Sequence, residues 1–168
     1  MASLHEMFDV AGKSVIVTGG ASGIGRAYAE VMAENGARVC IFDLNPDGLE
    51  ATVAEIGSGV WGQVVDVGDR AALTAAFDKV AAAHGRIDVV FANAGIDAGP
   101  GFMTPEGTRN PEGQIDTLDD AHWDKVIAIN LSAAFHTIAA ALPQMRTRNW
   151  GRIINVASTH GLVASTHK

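Results

Sequence analysis

The run SVIVTGGASGIG, residues 14–25, decides how this chain is read. Its first half, Ser14 to Thr18, is uncharged and rich in β-branched residues, the pattern of a short strand buried on both faces. Its second half is glycine and other small residues. From Gly25 onward the apolar residues fall at helical spacing, Ala27 with Val31 and Ala29 with Met32, and Gly36 supplies a stop. A strand that turns through glycines into a helix presents backbone N–H groups to a phosphate. Gly23 and Gly25 are the positions where backbone is expected to approach a pyrophosphate. The literal pattern G-x-G-x-x-G is not met, because Tyr28 stands at the third glycine position.

The same alternation continues outward. Residues 38–42 read as a second strand, and 46–56 as a helix with Pro46 in its first turn and Gly57 at its end. Residues 61–65 are a third strand, after which Asp69 caps a helix running to about His84, closed by Gly85. Residues 87–92 are a fourth strand, 118–146 a long helix and 152–157 a fifth strand. Apolar strands alternating with helices predict an α/β fold, a Rossmann-type doubly wound parallel sheet in three layers. Residues 1–168 are expected to form a single dinucleotide-binding domain. One segment breaks the rhythm. Residues 96–117, IDAGPGFMTPEGTRNPEGQIDT, carry four glycines and three prolines and leave the carboxyl end of the fourth strand. Long irregular connections in compact domains are usually functional or mobile, and this one leaves the end of the sheet where ligands bind.

Composition removes several classes of function. Twelve Lys and Arg against nineteen Asp and Glu give a net charge of −7, without the basic patch that nucleic acid or an anionic membrane requires. Cys40 is alone, so neither a disulfide framework nor a thiolate metal cluster is expected, and no metal site is assigned. Inside RVCIF it reads as a small buried hydrophobe. The N-terminal residues carry no basic-then-apolar signal, and no uninterrupted apolar run approaches about 18 residues. The expectation is a soluble, cytoplasmic protein without nucleic-acid or membrane partners.

Asp43 gives the glycine turn a partner. It ends the second strand, eighteen positions after Gly25, close to the separation at which an acid accepts from adenosine ribose hydroxyls. A 2′-phosphate about 4 Å from this carboxylate would meet roughly 1–4 kcal/mol of repulsion. Ser22 and Leu44, the neighbours in sequence of Gly23 and Asp43, bring no cation to offset it. The expected cofactor is NAD in preference to NADP. Gly12-Lys13-Ser14 imitates the end of a P-loop, but Met7 occupies the first glycine position and the motif precedes its strand.

Six motifs then stand in order: TGGASGIG at 18–25, FDLN at 42–45, VDV at 65–67, NAG at 93–95, IN at 129–130 and INVAS at 154–158. With these the chain resembles the short-chain dehydrogenase/reductase family, of the NAD-preferring type, over nearly its whole length. The resemblance implies cofactor contacts from Thr18, Gly19, Ser22, Gly23, Ile24 and Gly25, and from Asp43 and Leu44. It implies that Asp66 meets the adenine amino group, with Val67 offering backbone. Asn93, Ala94 and Gly95 would line the adenosine ribose and brace the sheet, and Val156 would complete the cofactor side. Asn130 would hold a water of a proton relay through its backbone carbonyl, and Ser158 would hydrogen-bond the substrate oxygen. Taken singly, Asp66 also reads as a capping or solvated acid, Asn130 as a buried amide bonded to a neighbouring strand, and Ser158 as a cap. Their common register favours the functional roles.

The implied reaction is hydride transfer between NAD and a secondary alcohol or ketone. The family uses a tyrosine as general acid and base, with a lysine one helical turn later. Tyr28 is the only tyrosine here and lies on the first helix with no lysine in reach. The chain therefore reads as the N-terminal part of a longer domain, its C-terminal strands missing and the Tyr-x-x-x-Lys pair expected further on. The rival expectation is a catalytically inactive NAD-binding sensor or structural protein. The stretch from Ala157 to Lys168 is locally similar to bacterial D-3-hydroxybutyrate dehydrogenases, which implies that His160 and Lys168 hold a substrate carboxylate. Against this, the substrate-binding Gln that those enzymes carry just after the NAG motif is here Asp97 or Ala98, and an acid beside a carboxylate would repel it. The 96–117 loop resembles those of dehydrogenases for bulkier apolar alcohols, where Phe102, Met103 and Trp123 could cover the ligand. Small residues along 118–146 would allow close helix packing, consistent with the family's homo-oligomers, a dimer or a tetramer.

Overall fold

Strand β1 (Ser14–Thr18) is buried at every position, and its neighbours on both sides complete a parallel sheet. The computed structural model describes residues 8–161, apart from the His160 side chain. Its sheet contains β1, β2 (Arg38–Asp43), β3 (Val60–Val64), β4 (Val89–Ala92) and β5 (Arg152–Asn155) in the order β3-β2-β1-β4-β5. Ser14 to Thr18 pair with Arg38 to Phe42, and Val15 to Val17 pair with Val89 to Phe91. The order reverses between β1 and β4, so the connections that leave their carboxyl ends cover opposite faces of the sheet and leave a crevice at the switch point.

Residue alternation along the strands separates two cores. Val15, Val17, Val39, Ile41, Val89 and Phe91 point to one face and pack under α1 (Gly23–Glu34) and α2 (Pro46–Ile56). Ile16, Cys40, Phe42 and Val90 point to the other, under α3 (Arg70–His84) and α5 (Ala133–Thr147). A period of two on a sheet covered on both faces makes three layers. Phe42 meets Phe77 of α3 edge-on at 5.5 Å between ring centroids. Cys40 lies within this layer, and burial pushes its thiol up to about 12.

Side chains cap the helices where the sequence places them. Asn45 accepts from Gly48 N at the start of α2, and Asp69 accepts from Ala71 N and Ala72 N at the start of α3. Gly57 and Gly85 follow α2 and α3 with positive φ. Helix α1 starts at Gly23, two residues earlier than its apolar spacing suggests, with Gly23 itself at positive φ.

The long fourth helix differs from expectation. Helix α4 (Asp120–Ile127), capped by Asp119, passes through a π-helical turn at Ala128–Ser132 into α5, a continuous rod over Asp120–Thr147. By length and composition this rod could cross a bilayer, with mean hydropathy 1.6 and only 17% of its most apolar window buried. The rod contains no uninterrupted apolar run of that length, and it qualifies because the polar residues of its central stretch are uncharged. No Asp, Glu, Lys or Arg lies between Lys125 and Arg146, and scattered Asn, Ser, His and Thr hid that stretch from a search for unbroken apolar runs. In the fold its buried residues, Ala133, Thr137, Ala141 and Met145, pack with α3 and β4.

The amino-terminal ends of the strands are closed by a charge network. Asp88 is fully buried and accepts from Ser14 N at 2.9 Å, Arg86 Nε at 2.7 Å and Arg148 Nη1 at 2.8 Å. Arg148 also bonds the Ile87 carbonyl, and Asp88 O accepts from Arg152 N. Burial alone would raise the Asp88 pKa, but Arg86, the Ser14 N–H and Arg148 outweigh it and hold the carboxyl below its ordinary value. Beside it, His84 Nε2 accepts from Trp61 Nε1 at 3.0 Å, so the ring proton sits on Nδ1, which is 2.7 Å from Ser14 Oγ. Burial and the neighbouring Arg38 charge lower the His84 pKa.

Candidate cofactor site

The crevice at the opposite, carboxyl ends of the strands is a cleft of about 430 Å³. The glycine turn forms one wall through Gly19, Ser22, Gly23, Ile24 and Gly25. Asp43 at the end of β2 with Leu44 beyond it, Asp66 and Val67 beyond β3, and Asn93, Ala94 and Gly95 beyond β4 form most of the rest. Twelve of the fourteen cofactor residues expected from sequence thus meet in one place. Thr18 and Val156 are not on its surface.

Thr18 stands behind the wall. Its buried hydroxyl donates to Phe91 O at 3.2 Å and accepts from Asn93 N at 3.0 Å and Ala94 N at 3.1 Å. Asn93 returns the connection, its Nδ2 donating to Thr18 O and Gly19 O. The ends of β1 and β4 are held together at the point where they would otherwise part. Val156 continues the β5 pairing, its N–H donating to Ala92 O at 3.0 Å.

The glycines of the turn divide their work. Gly23 has φ +53, and a Cβ there would meet nothing within 4 Å, so its backbone faces open space. Gly25 is buried, and a Cβ would run into Gly19 O and lie 2.5 Å from Asn93 Nδ2. Gly25 therefore gives α1 its close approach to the sheet, the task of the third glycine in the literal pattern, whereas the sequence reading had paired it with Gly23. Ser22 is fully extended at the α1 N-cap and makes no side-chain cap bond. The caps of α2, α3 and α4 do, which leaves the α1 N-terminus as the uncapped one among these four. Its N–H groups and dipole offer an anion site.

Asp43 is positioned by backbone on both sides. Oδ2 accepts from Ala21 N at 2.9 Å and Oδ1 from Asn45 N at 3.0 Å. Asp66 Oδ1 accepts from Gly68 N at 2.8 Å in a local turn. The helix-capping reading of Asp66 is thereby replaced, since Asp69 provides the cap.

Residues the sequence reading missed complete the cleft: Phe42, Val65, Ile96, Lys125 and Ile129. Lys125 and Ile129 are four residues apart on one helical face, a spacing present in the sequence that does not by itself point to the cleft. Asn130 lies in the π-helical turn, exposed, with Oδ1 accepting from Ile96 N at 2.8 Å and Nδ2 donating to Ile96 O at 2.9 Å. Its amide braces the start of the 96–117 segment, in place of the buried strand contact considered from sequence.

That segment is internally bonded. Met103 and Arg109 form an antiparallel bridge, Asn110 Nδ2 donates to Gly101 O, and Gln114 Nε2 donates to Phe102 O and Asn110 O. Asp97 Oδ1 accepts from Gly99 N. Phe102 and Trp123 are each about half exposed, at 52% and 51%. Ser158 follows β5 on the same carboxyl side of the sheet and is exposed, its carbonyl accepting from Gly161 N. His160 lies in the turn Thr159–Gly161, but its side chain, like all of Lys168, is outside the described residues. Tyr28 is stacked on Phe91 with ring centroids 4.7 Å apart, part of the core beneath α1.

The profile of the short chain dehydrogenase family matches residues 13–168. A D-beta-hydroxybutyrate dehydrogenase of Cupriavidus necator is 38% identical over 160 residues, covering 94% of this chain and 57% of that protein. A D-threitol dehydrogenase of Mycolicibacterium smegmatis is 39% identical over 160 residues, covering 94% of this chain and 56% of that one. An NAD+-bound xylitol dehydrogenase structure superposes with a TM-score of 0.81 at 30% identity, covering 94% and 57%. A short chain dehydrogenase/reductase of Burkholderia phymatum in complex with NAD gives 0.84 at 30% identity, covering 96% and 54%. The chain thus spans little more than half the length of these relatives.

Proposed function

This chain belongs to the short-chain dehydrogenase family, and from that premise we propose that it forms the NAD-binding part of an oxidoreductase acting on a secondary alcohol or ketone. The observation that carries the reading is the uncapped α1 N-terminus beneath open Gly23, in one cleft with the Asp43 carboxylate. These residues fit a dinucleotide: an anion site at one point and a ribose acceptor at another. The α1 N-terminus would hold the pyrophosphate, Asp43 the adenosine ribose, and Asp66 with Ile129 the adenine. NAD supplies a carbon that takes or gives hydride. Ser158 would hydrogen-bond the substrate oxygen, and Asn130 would keep its carbonyl and the Ile96 backbone in fixed relation. Both NAD-bound neighbours and the hydroxybutyrate and threitol dehydrogenases above support this reading.

Two substrate readings remain supported by separate observations. The similarity to D-beta-hydroxybutyrate dehydrogenases favours a hydroxy acid, while exposed Phe102 within the braced loop favours an apolar alcohol. The unburied apolar face of the Asp120–Thr147 rod supports assembly into homo-oligomers. The deciding experiment is a parallel equilibrium titration with NADH and NADPH. NADH is expected to bind at least about fivefold more tightly, from the repulsion at Asp43. Equal or tighter NADPH binding would refute the NAD preference, and no binding of either would refute the dinucleotide reading.

A further inference from the structure

Ala21 lies in the bend of the glycine turn, next to Ser22, and is buried. Its side chain is a methyl group, so its peptide N–H and carbonyl need partners from whatever packs beneath them. Asp43 Oδ2 takes the N–H at 2.9 Å, and Thr52 Oγ1 donates to the carbonyl at 3.0 Å. Thr52 is 1% exposed in the second turn of α2.

That donation is unusual for a helical threonine, which ordinarily returns its hydroxyl to the carbonyl four residues back. Thr74 does so with Arg70 O at 2.9 Å, and Thr147 with Pro143 O at 3.0 Å. Thr52 instead sends its proton out of its own helix to the glycine turn. Helix α2 is in turn fixed to the end of β2, because Asn45 caps Gly48 N while its own N–H bonds Asp43 Oδ1.

We infer that Thr52 is a positioning residue for the dinucleotide turn. It does not line the cleft. By fixing the Ala21 carbonyl from below, while Asp43 fixes the N–H, it sets the direction in which the chain enters Ser22 and Gly23, which do line it. The turn is then held in its binding shape before the ligand arrives, so ordering it takes nothing from the binding energy. This rests on the dinucleotide reading of the cleft and extends it to a residue buried behind the turn.

The test is an NADH fluorescence titration of the full chain and three variants, each also melted thermally. Thr52→Val keeps shape and removes the hydroxyl, Thr52→Ser restores a hydroxyl, and Val80→Ala truncates a core residue on the other face of the sheet. Thr52→Val is expected to raise the NADH Kd about tenfold. Thr52→Ser should return it to within about twofold of wild type, and Val80→Ala should lower Tm without changing Kd. Should Thr52→Val not fold, Thr52→Cys, of similar size with a weaker donor, replaces it with the same expected order. Wild-type affinity in Thr52→Val, or equal weakening by Val80→Ala, would overturn the inference and leave the cofactor reading standing. A wild-type chain that does not bind NADH would overturn both.

Discussion

Asn130 and Ile96 are joined by two reciprocal hydrogen bonds, so one side-chain amide satisfies both peptide groups of a single residue across 34 positions of sequence. The π-helical turn at Ala128–Ser132 is what brings the amide to that residue, and π-bulges are often found at functional sites. Asn130→Asp keeps an acceptor for Ile96 N but loses the donor to Ile96 O. It is expected to lower stability by about 1 kcal/mol. Hydrogen exchange at Ile96 and through the adjoining loop should rise, while exchange in β1 and β2 should not.

Gly23 and Gly25 should part company on substitution. Gly25→Ala places a methyl against Gly19 O and Asn93 Nδ2, and nothing there can yield without moving α1. A loss of stability of several kcal/mol is expected, of the kind produced by overpacking a core (about 1–3 kcal/mol, occasionally more). Gly23→Ala has open space and bears only the left-handed backbone penalty of about 1–2 kcal/mol. Thermal melts should rank Gly25→Ala well below Gly23→Ala.

Asp88 should dominate acid stability. Its folded pKa lies below the unfolded value, so its contribution is present in full above pH about 4 and fades as pH falls through the folded pKa. Asp88→Ala leaves the Arg148 and Arg86 charges beside an emptied buried position. A loss of about 3–5 kcal/mol is expected in urea unfolding at neutral pH.

His84 acts over a different range. Its folded pKa is lowered, so the unfolded chain takes up the proton first, and stability falls as pH drops below about 6.5. Protonation puts a hydrogen on Nε2, facing the Trp61 N–H, while Arg38 of β2 adds repulsion. Trp61→Phe removes the donor that favours the neutral ring. It should shrink the fall in stability below pH about 6.5, measured by denaturant titration at each pH.

The strands, the glycine turn and Asp43 were readable because each is a local pattern with a single physical cause. Apolar runs mark strands buried on both faces, and Asp69 or Gly85 mark helix ends wherever they occur. The π-helical turn was not readable, since AINLS has nothing that distinguishes it from the α-helix on either side. Thr52 and Lys125 were missed for a related reason. Their roles depend on which element packs against theirs, and that follows from the order of strands, not from the neighbouring residues. The 96–117 segment was correctly singled out by its glycines and prolines, but its bridge and its amide bonds required the chain to fold back on itself.

The Asp88 network closes the amino-terminal ends of β1, β4 and β5, while the cleft lies at the other ends of β1 and β4, between them and those of β2 and β3. A strand of four or five residues therefore separates what keeps the molecule together from what it recognises. Replacements around the loop at 96–117, at the opposite ends of the strands, are expected to leave that network intact. Such a division makes the scaffold tolerant of experiment, and a laboratory search for new substrates should concentrate its diversity at the carboxyl rim.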